Sequence, residues 1–187
     1  MHSRAIKTLN SSILVRMIGA TLLTAVGAQI AIHLPYTPAP VSWQVAGVLF
    51  AGLALGSRAG FNSQILYLAL GFAGAPVFAF GGGGAAWLIN PMGTGGYLIA
   101  FPLAAWVVGK ISENGVSTTA RQLIACSAGI ATIYGVGCLW MSIWLHLSPA
   151  QALFQGAGVF VMWDAAKAMV VIAAMQSARG ILKSEQK

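Results

Sequence analysis

Apolar segments divided by short polar turns occupy almost the whole chain, and they limit the folds that it can adopt. Of the 187 residues, 58% are hydrophobic and 7% are charged, whereas a soluble domain carries about 25% charged residues. Because so few charges cannot cover a water-facing surface, we expect an all-α integral membrane protein with a single domain over residues 1–187. A spanning helix needs about 20 mostly apolar residues. The pattern predicts six helices, at approximately 13–32, 42–55, 59–72, 96–111, 123–147 and 150–178.

The basic residues, apart from Lys167, all lie on one side of this six-helix arrangement. They lie before or at the start of the first helix, between the second and third helices, between the fourth and fifth, or after the sixth. These residues are Arg4, Lys7, Arg16, Arg58, Lys110, Arg121, Arg179, Lys183 and Lys187. Cytoplasmic loops of membrane proteins carry such an excess. We therefore expect both termini to be cytoplasmic, in a multi-pass protein of the inner (plasma) membrane. The second and third segments are short, which is typical of tilted, kinked or partly re-entrant helices.

Several classes of function are excluded by what the sequence lacks. The net charge of +7 forms no basic stripe with interleaved aromatic residues, so we expect no nucleic acid partner. The spacing of Cys126 and Cys138 matches no metal or redox motif, and no nucleophile–base pair of an enzyme is visible. A phosphate-binding P-loop is also missing, so ATP-driven transport would need another subunit. We expect no enzyme, no metal site and no cofactor.

Asp164 and Lys167 are the two charges inside an otherwise apolar segment, 159–172. A charge near a bilayer centre costs about 3 kcal/mol on insertion scales, and such groups usually face a bundle interior or a polar cavity. At a spacing of three residues the two side chains share one face of a helix. We interpret the pair as the floor of a ligand site; a structural ion pair that locks two helices is the alternative.

A long glycine-rich loop, predicted on the outer side, is the second candidate part of a site. Its four consecutive glycines at 81–84 permit positive φ angles and let the backbone approach a ligand closely. Aromatic side chains flank the glycines, so we expect a lid with apolar walls; a mobile surface loop is the alternative. Candidate ligand-binding residues are Gln44, at the outer end of the second helix, and Phe78, Gly82, Gly83, Trp87, Asn90 and Tyr97 in the loop.

Small residues recur along the first predicted helix. Ala20, Thr24 and Ala28 follow one another at four-residue spacing, which makes a flat groove for close helix contact in lipid. Both a second subunit and a helix of the same chain could fill this groove. We predict it as a docking face for a partner subunit.

Motifs spread over most of the chain resemble one known family. They lie at 38–44, at 55–60, at 74–84 with 94–98, and at Asp164 with Lys167. The pattern resembles the BioY family, the biotin-binding S components of energy-coupling factor (ECF) transporters. The resemblance implies a six-helix S-component bundle with an outward pocket capped by loops. It also implies a transmembrane coupling subunit and two ATPase subunits as partners.

Two stretches depart from the pattern of that family. Met92 and Gly93 stand between Pro91 and Thr94, where the family usually has a continuous motif. Before Asp164, residues 159–163 replace a stretch that usually contains proline and glycine. This replacement removes the helix break of the family and predicts an unbroken helix before Asp164, whereas the segment 150–178 as a whole is long enough to tilt or to break. It also adds Trp163 beside the pocket as a further candidate ligand-binding residue.

The resemblance implies biotin uptake, with this chain as the high-affinity substrate-binding subunit. An ionised Asp164 is acceptor-only and could take N–H bonds from the ureido ring of biotin. Lys167 could donate to the ureido carbonyl or to the valerate carboxylate, and both possibilities stay open. Two alternatives remain, namely a stand-alone permease for another small heterocyclic acid and a non-transporting membrane assembly subunit.

Overall fold

A computed structural model describes residues 2–89, 93–113 and 118–184, and most of this chain is helical. The elements in chain order are α1 (His2–Gln29), β1 (Ala31–Ile32), β2 (Val41–Ser42), α2 (Gln44–Phe72), α3 (Gly95–Glu113), α4 (Thr119–Trp144), α5 (Pro149–Leu153) and α6 (Val161–Ser184). Two short 3₁₀ turns, Ala79–Gly81 and Ala85–Ile89, lie between α2 and α3. The strands β1 and β2 form a small antiparallel pair on the connection between α1 and α2.

Five stretches of the described residues are long and apolar enough to cross a bilayer: Ser12–Gln29, Gln44–Phe72, Gly95–Glu113, Thr119–Trp144 and Pro149–Ala178. The prediction of an all-α membrane protein is confirmed at this level. The number of six spans and the cytoplasmic location of the termini stay predictions.

The α2 helix reverses its direction at Gly56. This glycine has φ 79° and ψ −176°, a region of backbone conformation that is essentially restricted to glycine. The Gln44 amide donates to the Tyr67 hydroxyl at 2.6 Å, whereas a straight helix would separate these residues by about 34 Å. The two limbs, 44–55 and 57–72, therefore pack side by side, in the region where the sequence predicts the short segments 42–55 and 59–72.

Glu113, at the end of α3, holds this reversal in place. Its carboxylate accepts a hydrogen bond from the Ser57 backbone N–H at 2.6 Å and another from the Ser57 hydroxyl at 2.9 Å. The first N–H groups of a helix have no partner within the helix. A carboxylate from a neighbouring helix thus caps the second limb of α2.

The packing of α1 overturns the predicted docking face. Ala20 is 2% exposed, and Thr24 and Ala28 are fully buried within the chain. A Cβ atom on Gly47 would collide with Thr24, so α2 approaches α1 at backbone distance. The small residues serve internal packing, which was the alternative outcome, because a groove of this kind accepts any close helix.

The remaining helices complete the core around α2. The α3 helix packs between α2 and α4, while α6 contacts both α2 and α4. One apolar cluster fills the space around Tyr67, Phe78 and Phe101, and a second includes Leu49, Val108 and Val171. A cavity lies between these helices and the connections that cap them.

The predicted helix at 150–178 is broken, which corrects the expectation of an unbroken helix before Asp164. A π-helical turn, Phe154–Gly158, separates α5 from α6. The Tyr97 hydroxyl donates to the Gly156 carbonyl at 2.8 Å, and a Cβ atom on Gly156 would collide with that hydroxyl group. The break persists without proline because Tyr97 satisfies a carbonyl in the irregular turn.

Candidate ligand-binding site

A cavity lies where the start of α2, the loop after α2, α3, α4 and the first turns of α6 converge. Its walls are mostly apolar and aromatic, with Phe101, Ile133 and Phe160 as the buried part. The polar groups are few, and they come from separate parts of the chain: Ser42, Gln44, Thr94, Tyr97, Tyr134, Asp164 and Lys167. Apolar walls with a few convergent polar groups are typical of small-molecule sites.

Asp164 is the centre of the polar wall. Its carboxylate accepts from the Lys167 ammonium at 2.6 Å and from the Tyr134 hydroxyl at 2.8 Å. Asp164 is 2% exposed and Lys167 is 4% exposed. Burial of a charge in a membrane is tolerated where an opposite charge and hydrogen bonds compensate it. The cluster is formally neutral and lies at the edge of a cavity, where a polar ligand could bond to it.

Tyr134 is a residue of this polar wall that sequence reasoning missed. It lies on α4, thirty positions before Asp164 in the chain, so no local spacing connects the two. A tyrosine within an apolar helix was the available signal, because a buried phenol usually finds a hydrogen-bond partner.

Gln44 lines the cavity as predicted, and its amide is held from two sides. The Ser42 hydroxyl donates to the Gln44 carbonyl oxygen at 2.8 Å, and the Gln44 amide nitrogen donates to the Tyr67 hydroxyl at 2.6 Å. Gln44 and Ser42 are 6% and 7% exposed, and Tyr67 is fully buried. Since only Trp43 separates the end of β2 at Ser42 from the start of α2 at Gln44, the chain places both polar side chains on one wall.

The predicted loop covers the cavity with two aromatic side chains. Phe78 and Trp87 both line it, with their ring centroids 6.0 Å apart. The His33 ring also stacks on the Phe80 ring, with centroids 4.4 Å apart, and this contact joins the connection before α2 to the connection after it. The expectation of a lid with apolar walls thus agrees with the placement of these residues.

Gly82 and Gly83 support this cover and do not line the cavity, which corrects their predicted role. A Cβ atom on Gly82 would collide with the Trp87 ring, and one on Gly83 with the Ala75 carbonyl. Gly82 therefore lets the backbone pack against the Trp87 ring, and Gly83 lets it pass close to the start of the loop. Asn90 lies outside the described residues.

The two aromatic residues predicted near Asp164 have different positions. Tyr97 lines the cavity. Trp163 does not: it is 48% exposed and lines a separate apolar groove with Trp43 and Val170. Neighbouring residues on a helix point about 100° apart, so the burial of Asp164 turns Trp163 outward. Lys167 borders both the cavity and this groove.

In the part of the chain that the structure describes, no group of three or more His, Cys, Asp or Glu side chains is placed to hold a metal ion. The chemistry available in the cavity is hydrogen bonding and burial of apolar surface.

A model of the BioY family matches residues 2–184. The chain belongs to the BioY family. The resemblance inferred from the sequence is thereby confirmed, and with it the prediction of a transport protein rather than an enzyme.

Several BioY proteins are similar over most of their length. The biotin transporter BioY of Thermotoga maritima is 37% identical over 159 residues, which cover 85% of this chain and 89% of that protein. The probable biotin transporter BioY of Pyrococcus horikoshii is 35% identical over 158 residues, which cover 84% and 90%. The crystal structure of the S-component for biotin from an ECF-type ABC transporter has a TM-score of 0.84 and 24% identity, covering 92% of this chain and 93% of that chain. The last likeness concerns the fold.

Proposed function

We propose that this chain binds biotin in the cavity beside Asp164 and serves as the substrate-binding membrane subunit of a biotin uptake system. The observation that carries the proposal is the buried, formally neutral cluster of Asp164, Lys167 and Tyr134 at the wall of an aromatic cavity. Membership of the BioY family and the names of its relatives support the same ligand.

Biotin matches the chemistry of this cavity. Its ureido group has two N–H donors and one carbonyl acceptor, so it needs both acceptors and donors within a small volume. Asp164 supplies acceptor oxygens, and the ammonium of Lys167 supplies donors. The thioether ring and the aliphatic tail suit the apolar surface of Phe78, Trp87 and Phe160.

The membrane arrangement of the proposal has six spans and cytoplasmic termini in the inner (plasma) membrane. The reversal of α2 at Gly56 supports six crossings, because it divides Gln44–Phe72 into two limbs that pack side by side. The one-sided distribution of Lys and Arg supports the orientation. The cavity then opens toward the outside, beneath the loops that carry Phe78 and Trp87.

Uphill uptake needs a source of energy. We propose that a transmembrane coupling subunit and two ATPase subunits supply it, as the S-component fold of the relative suggests. Because Ala20, Thr24 and Ala28 are buried within the chain, we propose that the coupling subunit contacts other surfaces.

Titration of the detergent-purified protein with biotin tests the ligand. We expect saturable binding by calorimetry, and no binding of hexanoate, which has an aliphatic acid but no ureido ring. Uptake of labelled biotin is then measured in transport-deficient cells, with and without co-expressed coupling and ATPase subunits. Absence of saturable binding would contradict the assignment of biotin. Equal uptake without the other subunits would instead favour a stand-alone permease.

A further inference from the structure

Three consecutive carbonyl groups after α2 accept hydrogen bonds from side chains of two different helices. We call residues 73–89, which cover the cavity, the lid. The Gln29 amide of α1 shares its two N–H groups among the carbonyls of Ala25 at 3.2 Å, Phe78 at 3.2 Å and Pro76 at 3.4 Å. The Tyr67 hydroxyl of α2 donates to the Val77 carbonyl between them at 3.0 Å. The lid backbone is therefore held from both α1 and α2.

The bond from Tyr67 fixes the direction of a longer chain of hydrogen bonds. A tyrosine hydroxyl has a single hydrogen, and Tyr67 gives it to the Val77 carbonyl, which can only accept. Tyr67 must then accept from the Gln44 amide N–H at 2.6 Å. This arrangement leaves the Gln44 oxygen facing the Ser42 hydroxyl. The amide orientation of Gln44 is thus a consequence of its bond to Tyr67.

Gln44 lines the cavity, and Tyr67 does not. Tyr67 is fully buried behind Gln44, and its ring packs against Phe78 with centroids 5.6 Å apart. Within the described hydrogen bonds, Gln44 keeps one N–H and one oxygen lone pair for a further partner. A ligand can bond to Gln44 only in the orientation that Tyr67 imposes.

We propose that Tyr67 is a positioning residue that couples ligand contact at Gln44 to closure of the lid. A ligand that bonds to Gln44 restrains its amide, the amide restrains the Tyr67 hydroxyl, and that hydroxyl holds the Val77 carbonyl. The lid therefore opens more slowly while the ligand is bound. This inference rests on the proposed binding of biotin.

Gln29 provides a matched comparison within the same lid. Its amide nitrogen lies within hydrogen-bond distance of two lid carbonyls, but Gln29 does not line the cavity. Loss of Gln29 should loosen the lid independently of the ligand. Loss of the Tyr67 hydroxyl should remove the same contribution to slow ligand dissociation that loss of the Gln44 amide removes.

Dissociation rates of labelled biotin from the full purified chain, chased with unlabelled biotin, test the coupling. The variants are Tyr67→Phe, Gln44→Leu and Gln29→Leu, together with the two double variants that contain Gln44→Leu. We expect Tyr67→Phe and Gln44→Leu each to raise the dissociation rate about tenfold, the scale of one hydrogen bond. In the double variant of these two, the dissociation rate should rise by no more than about tenfold in total. The rate increases caused by Gln29→Leu and Gln44→Leu should instead multiply when the two are combined.

Multiplying factors for Tyr67→Phe and Gln44→Leu, or an unchanged rate in Tyr67→Phe, would overturn the inference. A merely structural role of Tyr67 would lower thermal stability without producing this non-additive dissociation. If Tyr67→Phe fails to fold, proteolysis of the lid in biotin-saturated protein provides the test. Gln44→Leu should increase cleavage of the lid, and Tyr134→Phe should not. Equal cleavage of the two variants would overturn the inference. Binding that is absent in the unsubstituted chain would overturn the proposed function itself.

Discussion

At the scale of single residues, Asp164 and Lys167 must be considered together, because each compensates the burial of the other. Removal of one partner leaves an unpaired buried charge, which costs about 3–5 kcal/mol. We therefore expect Asp164→Asn and Lys167→Met each to lower the thermal stability of the detergent-purified protein. The double variant should recover most of that stability, since it buries no net charge, yet it should not bind biotin. Biotin binding by the double variant would identify the pair as a structural latch.

Tyr134 allows the polar wall of the cavity to be tested without removing a charge. Tyr134→Phe removes the hydroxyl that donates to Asp164 at 2.8 Å and keeps the ring. A hydrogen bond to a charged group contributes about 1.5–3 kcal/mol, so we expect at least tenfold weaker biotin binding in a calorimetric titration. Tyr36→Phe is the control, because Tyr36 is 56% exposed. Equal affinities of the two variants would remove Tyr134 from the site.

At the scale of elements, the reversal within α2 depends on one glycine. Gly56 has φ 79°, and a Cβ atom there would collide with the Glu113 carboxylate that caps Ser57. We expect Gly56→Ala to lower the free energy of unfolding by about 1–3 kcal/mol. Gly135→Ala is the control: Gly135 is helical with open space around it, so alanine there should be neutral or stabilising. Thermal unfolding followed by circular dichroism compares them, and equal losses would contradict this account.

The contact between α1 and α2 leads to a second prediction at this scale. Ala28 is fully buried against its own chain and Val26 is 60% exposed on the other side of α1. Ala28→Trp should therefore reduce folded yield and biotin binding together, because overpacking forces the helices apart. Val26→Trp should leave both near normal. Gel filtration and biotin titration distinguish the two variants; normal binding in Ala28→Trp would reinstate a docking role for this face.

At the scale of the whole molecule, the parts that sequence predicted are those that local pattern determines. Apolar length indicates membrane helices, and a spacing of three residues places Asp164 beside Lys167 on one helix face. Tyr134 could not be linked to Asp164, because only tertiary packing brings α4 to α6. The outward position of Trp163 has the same cause, since the rotation of α6 about its axis follows from its neighbours. Likewise, a groove of small residues has the same sequence whether it packs against a helix of its own chain or against another subunit.

Orientation in the membrane can be tested on the whole molecule by thiol labelling. Single cysteines are placed at Tyr36, between β1 and β2, at Arg58, after the reversal of α2, and at Ala120, in the first turn of α4; all three positions are exposed. The native Cys126 and Cys138 are first replaced by alanine. If α2 crosses the membrane twice and the basic turns are cytoplasmic, a membrane-impermeant maleimide added to intact cells should label only the cysteine at position 36.

The cysteines at 58 and 120 should become labelled only after the membrane is permeabilised. Labelling at position 58 is decisive, because it distinguishes a helical hairpin that crosses the membrane twice from one long helix that crosses it once. Unsubstituted protein lacking native cysteines controls for background, and biotin binding by each variant controls for folding. Labelling of positions 36 and 58 from the same side would contradict six spans, because it would place the Gly56 turn at the outer face. Labelling of position 120 in intact cells would overturn the orientation inferred from Lys and Arg, since that residue immediately precedes Arg121.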